Sequence, residues 1–415
     1  MSYRRWAIFG VCFTLFLMSL FYRASSAIIA PELISDLKLS HRALGLLGAA
    51  FFYSFAIVQI PLGIVLDKIG PRITMTVLNF VGVIGCVIFA SANGIMGGVI
   101  GRVLLGLGMA ANLMGPLKLF TNWFDPRNFA TLSGLLLSLG TLGSMAATTP
   151  LALLVDGFGW RKSFYALAGL NAFLSVCLMI IIRDRPPDKQ GVNNILQEKN
   201  PSPSVNATIK TLYSSWNYWA ISLSTFLRYG PYAAIQGLWV GTFLIEFLGL
   251  SPIVAGNLLF ILSVGLILGS PFSGMLSDRI LRTRKSTIIF GLSICAVVTI
   301  VFSQWKGTTS LILLGVLLFA IGFFNSFGQI MYAHIKELMP DEMSGSAMTG
   351  INFFTMLGGG LFMHLLGVIM DQMGPSLKSS GGEYQILFLI CSFAFLLATA
   401  IYFTTKDSYV SAEPK

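Results

Sequence analysis

Apolar runs of about 20 residues, each long enough to cross a bilayer, recur along this chain and are parted by short polar breaks rich in Gly, Pro, Lys and Arg. Twelve are counted, at roughly 6–30, 43–66, 73–92, 95–120, 128–155, 162–182, 216–246, 252–276, 286–305, 308–333, 345–370 and 384–404. With no water in the hydrocarbon to satisfy the backbone, the runs are predicted to be helices. The expected fold is therefore an all-α polytopic membrane protein. The first run is longer than the core of a signal peptide and lacks a small-x-small cleavage site, so it is expected to remain as a span.

The longest polar break covers residues 183–214, opening Arg-Asp-Arg-Pro-Pro and continuing with Asn, Gln, Lys, Pro and Ser. It reads as a linker. The expected domains are a six-helix bundle over 1–183, a cytoplasmic linker over 184–214 and a second bundle over 215–415. Two markers relate the halves. Gly63-x-x-x-Asp67-Lys68-x-Gly70-Pro71-Arg72 follows span two, and Gly274-x-x-x-Asp278-Arg279 follows span eight, 211 residues on. Arg23 and Arg228, both inside apolar spans, lie 205 residues apart. Such repeats suit alternating access, with substrate bound where they meet.

Composition agrees: 55% of the 415 residues are hydrophobic and 11% charged. The net charge of +10 is unevenly placed. Loops on the side of the termini carry 17 Lys and Arg and the opposite loops 6, which predicts cytoplasmic termini. A basic inner face beside anionic lipid accounts for the charge, so no nucleic-acid partner is implied. The five cysteines fall within apolar spans, and His41, His334 and His364 are scattered. Neither set has metal-ligand spacing. With no phosphate loop and no nucleophile–base constellation, no cofactor, metal or catalysis is expected.

Arg23 and Arg228 carry the candidate chemistry. A charge at membrane depth costs between about 2.5 and more than 10 kcal/mol, and such residues usually face a polar cavity. By helical spacing Arg23 shares a face with Ser19, Ser26 and Ala30, and Arg228 with Thr225, Tyr232 and Gln236. A guanidinium fork matches carboxylate, phosphate or sulfonate oxygens. The expectation is that the two arginines grip one anionic head group; the alternative is that each pairs with a carboxylate or caps carbonyls. Tyr22 and Tyr229 flank them. Gln59, Asn112, Asn325, Gln329 and Asn352 are further candidate lining residues, with Asn325 and Gln329 expected on one face. Arg102 either lines the cavity or braces span four against carbonyls of spans one or five. His364 is the mid-membrane candidate for proton coupling, and a packed neutral histidine is the alternative.

The pattern G-x-x-x-D-[RK]-x-G-x-R at Gly63–Arg72 resembles the signature of the major facilitator superfamily. Gly101-Arg102-x-x-x-Gly106-x-Gly108, Gly140-x-x-Gly143 with Pro150, and Gly159-Trp160-Arg161 resemble further elements of that family, in the family's order and over essentially the whole chain. The resemblance implies twelve helices in two bundles and a secondary transporter working by alternating access. It casts Gly63, Asp67, Gly70 and Arg72 as gating residues, with Asp278 and Arg279 as second-half equivalents. Asp67 would cap a helix or pair with Arg72, Gly63 would let helices approach closely, and Gly70 would permit a tight turn. Phe21-Tyr22-Arg23 and Leu227-Arg228-Tyr229-Gly230 are similar to the organophosphate:phosphate antiporters, and Arg102 to the anion:cation symporters. Gln59 and Met109 stand where these branches carry a basic residue and a glutamate.

The expected substrate is a small organic anion: a carboxylate, phosphate ester, sulfonate or polycarboxylate chelator. Protons or a counter-anion are the coupling partners left open. An amino-acid or other zwitterion carrier of the same fold is the alternative, and a non-transporting sensor a more remote one. A monomer in a bacterial inner membrane is expected.

Overall fold

The computed structural model of the chain describes residues 2–124, 129–186, 211–304, 310–340, 343–373 and 381–408. Among these residues there is no strand, and eleven helices are long and apolar enough to cross a membrane. The twelfth span is the seventh in order. It comprises Trp216–Ala234 followed by π-helical turns at Ile235–Trp239 and Phe243–Phe247. Ser222, Ser224, Thr225 and Arg228, all buried, dilute its hydropathy. The protein is an integral multi-pass membrane protein with a twelve-helix fold.

Contacts divide the chain into two compact units. One is Met1–Lys38 with Ala50–Ser202, the other Leu39–Ala49 with Pro203–Lys415. Of the expected linker, residues 187–210 lie outside those described. In the first unit span one (Tyr3–Ala24) packs on spans five (Leu132–Phe158) and six (Trp160–Ile181), while span three (Pro71–Ala90) packs on spans four (Ile95–Trp123) and six. In the second unit span seven packs on spans eleven (Ser346–Gln372) and twelve (Gly382–Tyr402), while span nine (Arg284–Ser303) packs on spans ten (Leu311–Leu338) and twelve. Span for span, the pairings repeat.

Glycines set the spacing within each unit. A Cβ at Gly106 would collide with the Ser54 hydroxyl and the Phe51 carbonyl of span two (His41–Gln59), and one at Gly108 with Gly82 of span three. A Cβ at Gly143 would strike the Leu17 carbonyl of span one. In the second unit Gly322 touches Leu262 of span eight (Pro252–Ile280) in the same way. Between apolar helices in lipid, such backbone contact supplies the van der Waals attraction that water cannot drive. Gly63 departs from expectation: a Cβ there meets nothing within 4 Å, so close approach does not explain it. Gly70 does make a turn, with φ at 93°.

The repeat also shows in how each unit is fastened at the face of its last helix. After span six, the Asp184 carboxylate accepts the Arg72 amide at 2.7 Å, capping span three. The Arg72 guanidinium donates to the Met179 carbonyl, and Asn122 and Trp123, at the end of span four, donate to the carbonyls of Asp184 and Arg183. After span twelve, Asp407 accepts the amides of Arg284 and Lys285 at 3.2 and 3.4 Å, capping span nine. His334 of span ten meets the Lys406 carbonyl at 2.9 Å. A carboxylate at a helix N-terminus satisfies free amides and complements the dipole.

Two outcomes follow for stability. Gly106→Ala is expected to lower the apparent melting temperature in detergent by several degrees, whereas Gly63→Ala leaves it unchanged or raises it, since Ala in an open helical site is worth about 0.5–1 kcal/mol over Gly. Asp184→Ala and Asp407→Ala should each cost about 1 kcal/mol, as lost caps do, and the check is the same melt.

Candidate functional site

In the first unit the polar residues of spans one to four are tied largely to one another and to carbonyls. Arg102 is fully buried. Its Nη1 donates to the Tyr22 carbonyl at 2.9 Å, and its guanidinium lies 5.1 Å from the Phe51 ring centre. Nε and Nη2 are buried with no hydrogen-bond partner. Arg102 thus braces span four against span one through a carbonyl. Gln59 Nε2 donates to the Ala110 carbonyl at 3.1 Å, at the point where span four breaks between Met109 and Ala111. Asn112 and Asn79 exchange amide hydrogen bonds at 2.8 and 3.1 Å, and Asn112 also reaches the Leu15 carbonyl. Asn79 was open to detection by the same signal as Asn112, a lone amide in an apolar span. Tyr22 is fully buried between Phe21 and Phe164, so it is a core residue of this unit.

Arg23 lies in the last turn of the first helical stretch of span one, Ser2–Ala24, which breaks at Ser25 before resuming as Ser26–Leu37. Its guanidinium lies 5.0 and 5.9 Å from the ring centres of Phe55 and Phe52 of span two. Aromatic faces are attractive to a cation. Farther along, Asp36 accepts from the Trp160 indole at 2.9 Å and pairs with Arg161 at 3.2 Å, which accounts for that Gly-Trp-Arg element within this unit.

In the second unit Arg228 is 3% exposed. Its Nη1 donates to the Asn325 carbonyl oxygen at 3.0 Å and to Asn325 Oδ1 at 3.3 Å. Nε is buried without a hydrogen-bond partner, and no carboxylate pairs with Arg228 among the described residues. Room for the side chain comes from Gly328, where a Cβ would collide with the Arg228 Cδ and guanidinium. Gly328 sits in a 3-10 turn, Ser326–Gln329, that interrupts span ten. That turn corrects the expected pairing of Asn325 with Gln329. A 3-10 segment turns once per three residues, and the two amides find different partners: Asn325 holds Arg228, while exposed Gln329 accepts from Ser270 at 2.8 Å.

Tyr229 lies 5.8 Å from the Arg228 guanidinium and 6.1 Å from the Tyr232 ring. The Tyr232 hydroxyl and Gln236 Nε2 are buried without a hydrogen-bond partner, one and two turns beyond Arg228. Tyr332, which no sequence pattern singled out, donates to Asn352 Oδ1 at 3.0 Å and lies 3.3 Å from the Thr355 hydroxyl. His364 is half-buried on span eleven. Asp278 pairs with Arg284, which also holds Glu337, while its neighbour Arg279 is exposed. The Asp67 side chain lies outside what the structure describes.

The sequence pattern of the Major Facilitator Superfamily matches twice, over residues 11–244 and 221–415. The chain belongs to that superfamily. A protein of Cupriavidus necator named a probable sulfoacetate transporter is 25% identical over 309 residues, 69% of each chain. A hexuronate transporter of Bacillus subtilis is 24% identical over 338 residues, 78% of each chain. The crystal structure of a D-xylose–proton symporter superposes with a TM-score of 0.77 at 16% identity, covering 97% of this chain and 98% of that one, a likeness of fold. The protein is a secondary transporter of this superfamily, not an enzyme.

Gly328→Ala is expected to push the Arg228 guanidinium off Asn325 and lower substrate uptake about tenfold, the effect of about 1.4 kcal/mol. Gly274→Ala, where a Cβ meets open space, should leave uptake unchanged. Uptake into proteoliposomes measures both.

Proposed function

We propose that this transporter carries a small organic anion by alternating access, with Arg23 and Arg228 as the two guanidinium groups that receive its head group. The observation that carries this reading is Arg228: a nearly fully buried cation whose hydrogen bonds go to one asparagine and whose charge no carboxylate neutralises among the described residues. A buried charge left uncompensated is costly. An anionic substrate supplies the missing charge and accepts from the free Nε–H, and it leaves again because the counter-charge is not built into the chain. Carboxylates, phosphate esters and sulfonates all fit a guanidinium fork. The relatives named for sulfoacetate and hexuronate transport support this class, because both of those ligands are anionic.

The test is thermal stabilisation of purified protein against a panel of these anions, beside Arg23→Ala and Arg228→Ala. A substrate at a hundredfold over its Kd stabilises by about 2.7 kcal/mol, and that shift is expected to vanish in both variants. Arg228→Lys should keep the charge but lose the fork, and transport should drop about tenfold or more. A zwitterionic or neutral ligand that still stabilises both alanine variants would overturn the proposal.

A further inference from the structure

The first residues of span two carry chemistry that the anion reading does not use. Leu39–Ala49 group with the second unit, although the helix they open, His41–Lys68, continues from Ala50 in the first. Three features hold them there. The Asp371 carboxylate, at the end of span eleven, accepts the His41 amide through Oδ1 and the Arg42 amide through Oδ2, each at 3.0 Å. This is an N-cap supplied by a different helix, and charge-assisted bonds of this kind are strong. Next, the two backbones are in contact. A Cβ on Gly45 would lie 2.6 Å from the Met363 carbonyl oxygen, and one on Gly367 2.5 Å from that of His41. Fully buried Trp239, from the first π-turn of span seven, packs its ring 6.2 Å from the His41 ring and against Gly367.

The third feature is the His41 imidazole. Its Nε2 lies 3.7 Å from Glu246 Oε2 and its Nδ1 3.7 Å from Asp371 Oδ1. These distances are too long for hydrogen bonds and suit ion pairs. Glu383 of span twelve acts on the same imidazole, the Tyr384 hydroxyl donates to Glu246 at 3.5 Å, and Ser40 bonds to Asp371. Arg42 is the neighbouring cation on the same helix. One imidazole thus stands among three carboxylates drawn from spans seven, eleven and twelve. Histidine is the side chain whose ordinary charge change falls near neutral pH.

We propose that His41, Glu246 and Asp371 form a proton-operated clasp on the start of span two. Protonated His41 bridges the two carboxylates and holds residues 39–49 in the second unit. With neutral His41, Glu246 and Asp371 lose the cation between them, and the segment lets go. Loss of the proton thus frees residues 39–49 from spans seven and eleven. The glycine contacts make the clasp all-or-none, because the backbones either touch or separate.

Hydrogen exchange of the full-length protein in lipid nanodiscs, read by mass spectrometry at about pH 5.5 and about pH 8 on either side of the ordinary histidine range and corrected for the intrinsic pH dependence of exchange, tests this. Protection of a peptide covering residues 39–49 is expected to fall about tenfold or more between the two pH values, in line with loss of a charge-assisted contact. His41→Gln should be weakly protected at both, and so should Gly367→Ala, whose added methyl parts the backbones. Protection of span nine, unchanged throughout, shows that each variant is folded; if His41→Gln does not fold, Glu246→Gln replaces it and should shrink the fall. Wild-type protection that is flat with pH, or a fall that survives His41→Gln, would overturn the clasp. Because the readout needs no substrate, this result stands apart from the anion assignment.

Discussion

A polar group inside hydrocarbon finds its partner within the protein or goes without, and the architecture of this chain follows from that constraint. Backbone groups are satisfied by helix, which is why the described residues hold no strand. Side-chain amides bond to each other or to carbonyls, as Asn79 and Asn112 do. Arg102 bonds to the Tyr22 carbonyl. Where helix interrupts itself, at Ser25, at Ala110, in the π-turns of span seven and the 3-10 turn of span ten, polar side chains gather. Gln59 reaches the carbonyl at the break in span four, and Asn325 flanks the break in span ten. Broken helices in transporters characteristically serve as binding elements for this reason: they expose backbone dipoles that only a polar cavity can tolerate.

The helical spans were readable from the sequence because burying some 20 apolar residues is a bulk property, insensitive to which neighbour a helix meets. Expected and observed limits agree closely for most spans; span two was read as 43–66 and the helix is His41–Lys68. The repeat was readable too, from two markers. Breaks within the spans were harder to see. A π-turn at Ile235–Trp239 leaves no periodic signature beyond glycines at 237 and 241, and the 3-10 turn in span ten altered which amide meets Arg228.

Contacts between distant helices left almost no local trace. Gly328 is an ordinary glycine in sequence, and its role appears only once Arg228 lies across it. Tyr332 gave no pattern, and His41 read as one of three scattered histidines until Asp371, 330 residues away, capped its helix. Gly63 was read through its motif and turned out to face open space, whereas Gly106 and Gly108 proved to be the contact points. A motif records which residues go together without recording which of them touch.

The caps that close each bundle carry a consequence for how the chain is made. Span three begins at a helix end whose acceptor, Asp184, lies 112 positions later, and span nine waits for Asp407, 123 positions beyond Arg284. During synthesis the third helix of each bundle therefore enters the membrane with its first amides uncapped, and acquires their partner only when the sixth has been delivered. In both bundles the residue that completes the cap of the third helix thus follows the sixth helix in the chain.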